Sequence, residues 1–143
     1  MVVGMIGTLV VAMIANIWRW YGKSIAEQQS AVMLAQELKI ASEAIAQDYG
    51  PALASRTLDG TTLQLDIDSG NGVADWADPD TVIQYSVANG ILFRQDLKSG
   101  STIAVASYMD SMSVILTDGF LEVNLNAEVR KTPQMLILRL TGS

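Results

Sequence analysis

The first eighteen residues, Met1 to Trp18, carry no charge. That length is close to the about 20 apolar residues a helix needs to cross roughly 30 Å of hydrocarbon. The run therefore limits the start of the chain to lipid, the core of an assembly, or a buried interior. Trp18, Trp20 and Tyr21 follow, with Arg19 and Lys23 among them. Rings and cations of this kind gather at a membrane interface. A cleaved signal peptide fits less well, because it carries a basic start and a small-residue cleavage site. A buried helix of a soluble domain is the third reading. Gly4, Gly7 and Thr8 are small enough for close helix approach in lipid, although glycine is common in membrane helices.

No proline interrupts the chain before Pro51. Leu34, Leu38, Ala41, Ile45 and Tyr49 recur at three- and four-residue steps, which is one face of a helix. Several alanines support the same conformation, and Gly50-Pro51 supplies a stop. The pattern predicts one helix over about residues 1–49, roughly 73 Å long at 1.5 Å per residue. Residues 1–23 form its membrane or filament-core half and residues 24–50 its amphipathic half. A helix that long must project from a chain of 143 residues.

After Pro51 the period changes from 3.6 to 2. Leu63, Leu65 and Ile67 alternate with polar neighbours, as do Met112, Val114 and Leu116, and Leu121, Val123 and Leu125. Asn89-Gly90 and Asp118-Gly119 are hairpin turns. About seven strands result, joined mostly by hairpins, so residues 51–143 predict an antiparallel β head covered by the amphipathic half of the helix. The fold class expected is α+β.

Charge and composition exclude several functions. The chain carries −6, and from Ser24 onward seven basic residues stand against fifteen acidic ones. No basic stripe exists to displace counterions from phosphates, which argues against nucleic acid as a partner. Cysteine and histidine are both absent, so disulfides, thiolate and Ser-His-Asp catalysis and the usual zinc sites are excluded.

A long N-terminal helix, apolar first and sheet-covering second, with an antiparallel head behind it, resembles a type IV pilin. MVVGMIGTLVVAMI is similar to that family's hydrophobic N-terminal stretch. Val82-Ile-Gln-Tyr85, Asn89-Gly-Ile-Leu-Phe-Arg94 and the Met109–Leu116 segment are similar to minor pseudopilins of type II secretion systems. The resemblance implies a pilin-like fold and a structural subunit of a type IV pilus or a type II secretion pseudopilus. It implies a single-pass anchor in the bacterial inner membrane, with the head in the periplasm or outside. The implied partners are membrane lipid, an inner-membrane assembly platform, and other pilin or pseudopilin subunits in a filament. Val2, Val3, Met5, Ile6, Leu9, Val10, Val11, Met13, Ile14 and Ile17 would carry insertion and assembly. Pilins are cut after a glycine, methylated at the next residue, and carry a glutamate soon after it. The run has no such glutamate, so the natural start is expected upstream of Met1, with cleavage after Gly4 as the alternative. Arg19 and Lys23 alone would keep the head cytoplasmic, and a basic leader upstream would reverse that. The rival reading is a single-pass membrane-anchored β domain that binds a ligand or envelope partner without polymerising.

The loop from Asp66 to Asp80 gathers five aspartates and Asn71. Calcium takes six to eight oxygens from flexible acidic loops, and the resembled family has calcium-binding members. Asp66, Asp68, Asn71, Asp75 and Asp78 are the candidate ligands. The match to an EF-hand loop is imperfect, because its third ligand position falls on Gly70. A solvated acidic turn is the plainer reading. Trp76 reads as a lid on the core in preference to an exposed contact residue. Asp66 with Asp68, or Asp78 with Asp80, have the composition of an acid–base pair, and Lys98-Ser99 that of a Ser-Lys pair. Nothing in the sequence surrounds them with a substrate pocket, so no enzyme activity is expected.

Overall fold

A computed structural model describes residues 10–15 and 25–141. Strand β1 is Val10–Ala15, and the helix α1 is Ile25–Tyr49. Eight strands follow: β2 Ala54–Thr57, β3 Leu63–Ile67, β4 Thr81–Ala88, β5 Ile91–Asp96, β6 Thr102–Ser107, β7 Met109–Thr117, β8 Phe120–Val129 and β9 Thr132–Thr141. They form two antiparallel sheets, ordered β1-β9-β8-β7 and β2-β3-β4-β5-β6.

This corrects the expected pilin-like fold. Among the described residues the structure is mostly β, with one helix of 25 residues, and no long apolar helix packs on a sheet. Val10–Ala15 instead pairs with β9 through six residue pairs, from Val10 with Arg139 to Ala15 with Gln134. The physical reason lies in the residues. A short uninterrupted apolar run has no period to separate strand from buried helix, and Val10, Val11 and Ile14 are β-branched residues that suit a pleated surface. Among the described residues no helix is long and apolar enough to cross a membrane.

Where the helix does form, it buries the face that the spacing picks out. Leu34, Leu38, Ala41 and Ile45 are fully buried, while Val32 and Ile40 on the outer side are exposed. Each large aliphatic side chain so buried contributes about 1.5–3 kcal/mol. The helix ends where expected: the Gly50 N–H donates to the Ala46 carbonyl at 3.1 Å, and Pro51 cannot continue it.

One core serves both sheets. It joins the helix face to Leu63, Leu65, Ile83, Tyr85 and Leu92 of one sheet, and to Met112, Leu121, Leu125, Leu136 and Leu138 of the other. The crossing from one sheet to the next takes place at a single residue, Tyr108, between β6 and β7, with φ +62°. The Asn89-Gly90 hairpin forms as read, with both residues at positive φ. The β8–β9 turn is a different case. Arg130 and Lys131 both take positive φ, and neither residue type advertises a left-handed turn.

Two features close the edges and ends. Glu37 Oε1 accepts the Ser107 N–H at 2.6 Å on the outermost strand β6, which blunts an edge open to strand addition. Gln134 Nε2 on β9 donates to the Ala31 carbonyl at 2.6 Å, inside the helix–sheet contact.

Candidate functional site: the acidic loop and the helix–sheet clamp

The acidic loop folds back over the outer face of β3. Alternation along β3 places Gln64 and Asp66 away from the Leu63–Leu65–Ile67 side, yet both are buried, Asp66 completely. The loop is what covers them. The Trp76 N–H donates to Asp66 Oδ2 at 2.7 Å. Asp80 accepts from the Ser69 N–H through Oδ1 and from the Asp75 N–H through Oδ2, both at 3.0 Å. The Trp76 ring is half-buried and carries the Arg56 guanidinium 4.1 Å from its centroid. Arg56 Nε also donates to Gln64 Oε1, and Gln64 Nε2 to Gln84 Oε1, each at 2.8 Å.

The five candidate calcium ligands are held in different ways. Asp66 lies beneath the loop. Asp68 accepts the Asn71 and Gly72 amides at 3.2 and 2.8 Å. Asn71 donates its side-chain amide to Asp75 Oδ2 at 2.9 Å. Asp78 is exposed and lies 3.6 Å from Lys98 Nζ. Among the described residues no group of three or more acidic, histidine or cysteine side chains is placed to hold a metal ion. Loop amides take one oxygen of Asp66 and both of Asp68, while Asp66 Oδ1 is buried with no hydrogen-bond partner. The candidate acid–base and Ser-Lys groups are likewise tied to structure, with the Lys98 and Ser99 amides both bonded to Asp96 Oδ1.

The pairing that composition did not single out is Asp66 with Asp80. Two consecutive amides, Asp75 and Trp76, each bind one of them, so the two carboxyls lie side by side. Burial, then the neighbouring Asp80, push the Asp66 carboxyl above the usual carboxylate range. The Asp75 amide leads the groups that draw Asp80 down to about 2. The linkage signs are opposite. Asp80 contributes stability that is present above its ordinary value and lost as the pH falls toward about 2. Asp66 contributes stability that is present below its ordinary value and lost as the pH rises through its raised one. The stability profile should therefore fall away above roughly pH 4, the ordinary aspartate value, and Asp66→Asn should remove that falling limb by supplying an amide donor that never ionises. Denaturant titrations across pH check this, and parallel profiles for the two proteins would count against it.

A second cluster ties the helix to the other sheet strands. Asp48, in the last turn of α1, accepts the Tyr85 hydroxyl and two guanidinium contacts from Arg94, Nε at 2.7 Å and Nη2 at 3.1 Å. The Tyr85 hydroxyl also donates to the Ala44 carbonyl at 3.0 Å. Burial first, and Asp48 second, raise the Tyr85 phenol far above its ordinary range. Sequence reading missed this clamp. One signal was present: an acid in the last helical turn faces the negative end of the helix dipole and so needs a cation elsewhere.

Of the candidate membrane and assembly residues, Val10, Val11, Met13 and Ile14 stand on β1, opposite Arg139, Leu138, Leu136 and Met135. Val2, Val3, Met5, Ile6, Leu9 and Ile17 lie outside the described residues. No family model, no curated protein and no solved structure matches the chain.

Proposed function

We propose that this chain is a non-catalytic structural subunit, of pilus or pseudopilus kind, that assembles with related subunits through its apolar N-terminal residues at the bacterial inner membrane. The observation that carries this reading is how firmly the helix following the apolar run is fixed to the head. Ala31 is held by Gln134, Glu37 holds the β6 edge, and Asp48 is held by Tyr85 and Arg94. A contact made by the N-terminal segment is therefore passed to both sheets through one rigid element. The acidic head, with exposed carboxylates such as Asp110 and Glu128, suits a solvated surface. The proposal requires no helix before Ile25.

One observation favours the rival reading, a β domain that binds a partner without polymerising. The β1 strand pairs with β9 of its own chain along all six residues. The chain has no cysteine, so introduced thiols report without background. Ala12 and Ile137 are Cα partners across β1 and β9. Under the proposal, Ala12→Cys in membranes oxidises to dimers between copies, and adding Ile137→Cys leaves those dimers dominant. Exclusive intrachain bridging in the double variant, with no dimer from Ala12→Cys alone, would overturn the assembly reading in favour of the rival.

A further inference from the structure

The sequence holds two Asn-Gly pairs, Asn71-Gly72 in the acidic loop and Asn89-Gly90 in the β4–β5 hairpin. In such a pair the glycine nitrogen can attack the asparagine side-chain carbonyl and close a five-membered ring, because glycine has no side chain to block the approach. The step is helped by a base for the N–H proton, a donor for the carbonyl oxygen as it gains charge, and a fixed orientation. The loop supplies all three at Asn71. The Gly72 N–H donates to Asp68 Oδ2 at 2.8 Å. The Val73 N–H donates to the Asn71 side-chain Oδ1 at 3.0 Å. The Asn71 side-chain Nδ2 donates to Asp75 Oδ2 at 2.9 Å, which holds the amide in place. A backbone donor at one end of that amide and a carboxylate at the other leave one assignment of its oxygen and nitrogen.

The surroundings leave the reaction room. Asn71, Gly72 and Val73 are exposed, so water reaches all three. Nothing lies within 4 Å of where a Cβ on Gly72 would stand. The second pair is exposed at Asn89 but is not equipped in this way. Among the described residues no side chain accepts the Gly90 N–H, and no donor meets the Asn89 side-chain oxygen. The chain thus contains the same dipeptide twice, once with the assisting groups and once without them.

We propose that the acidic loop makes Asn71 a site of self-deamidation, with Asp68 as the base. Asp68 takes the proton of the Gly72 nitrogen, that nitrogen bonds to the Asn71 Cγ, and the charge gathering on Oδ1 is met by the Val73 amide. The Cγ–Nδ2 bond then breaks. The nitrogen leaves as ammonia with the proton that Gly72 gave up, relayed from Asp68 by water. A second water opens the succinimide at either carbonyl and gives aspartate or isoaspartate at position 71. One side-chain amide and one water become one acid and one ammonia, and nothing is oxidised or reduced. The product adds a negative charge to a chain that already carries −6. It also sets a carboxylate where an amide had donated to Asp75, so repulsion replaces that bond. The loop that covers Asp66 is loosened as the protein ages. The proposal stands apart from the assembly reading.

Incubation of the full chain near neutral pH, with mass spectrometry locating each deamidated residue over time, tests it. Asn71 should convert about tenfold faster than Asn89, or more. Asp68→Asn should slow conversion at Asn71 by about tenfold and leave Asn89 unchanged. The urea-unfolded chain is the reference in which both pairs lack partners, and folding should speed conversion at Asn71 relative to it. Equal rates at the two pairs, a folded rate at Asn71 no faster than the unfolded one, or an Asn71 rate indifferent to Asp68→Asn would each overturn the proposal. If Asp68→Asn does not fold, the two comparisons within the parent chain still decide.

Discussion

Leu38→Ala is expected to cost about 2–5 kcal/mol of folding stability. Leu38 is fully buried and sits where the helix meets both sheets, so the cavity left by its isobutyl group cannot collapse from one side alone. The neighbouring Ile40 is 46% exposed on the outer face, and Ile40→Ala should stay within about 0.5 kcal/mol of the parent. Denaturant unfolding of the two variants reads the difference directly. Equal losses would mean that the helix face is not the one packed against the sheets.

Asp48→Ala should be the most damaging polar substitution, at about 2–4 kcal/mol. Removing one member of a buried pair leaves the other uncompensated, at about 3–5 kcal/mol when both are fully buried. The Asp48 and Arg94 side chains are 16% and 31% exposed, which lowers the expectation. The change also strips the Tyr85 hydroxyl of its acidic acceptor, although the Ala44 carbonyl remains. Tyr85→Phe in the Asp48→Ala background should therefore cost much less than Tyr85→Phe alone, and a double-mutant cycle measures that coupling. Strictly additive losses would show that the hydroxyl and the carboxylate act independently.

The amphipathic face from Leu34 to Tyr49 was legible because a 3.6-residue period belongs to a helix and does not fit a strand. Strands β3, β7 and β8 were legible for the same kind of reason, by alternation along each, and Asn89-Gly90 and Asp118-Gly119 marked the β4–β5 and β7–β8 hairpins. The start of the helix was not. Val10–Ala15 is apolar on every side, and such a run says that it will be buried without saying in what conformation. The short β2 strand, Ala-Ser-Arg-Thr, has no alternation to betray it. The division into two sheets was also hidden, since alternation gives each strand a face but not a neighbour.

The candidate site was half legible. An acidic loop after β3 was plain from composition, yet the important pair takes one member from the strand, Asp66, and one from the far end of the loop, Asp80. Alternation assigned Asp66 to solvent, and only the loop's return over β3 buries it. The Asp48–Tyr85–Arg94 clamp spans 37 and 46 residues of sequence, and no local pattern encodes such a meeting.

The helix takes its partners from near and far along the chain that follows it. Ala31 waits for Gln134, 103 residues further on. A ribosome releases the helix long before it releases β9, so during synthesis the apolar helix face has no finished core to enter. Hairpins β4–β5 and β7–β8 close locally and early, whereas the sealing of the core belongs to β9. Until that strand leaves the exit tunnel, Leu34, Leu38 and Ile45 are surfaces for a chaperone or a membrane to hold. A chain cut short before β9 would lose the Gln134 anchor on Ala31 along with the strand, and keep the Glu37 and Asp48 contacts to hold the helix.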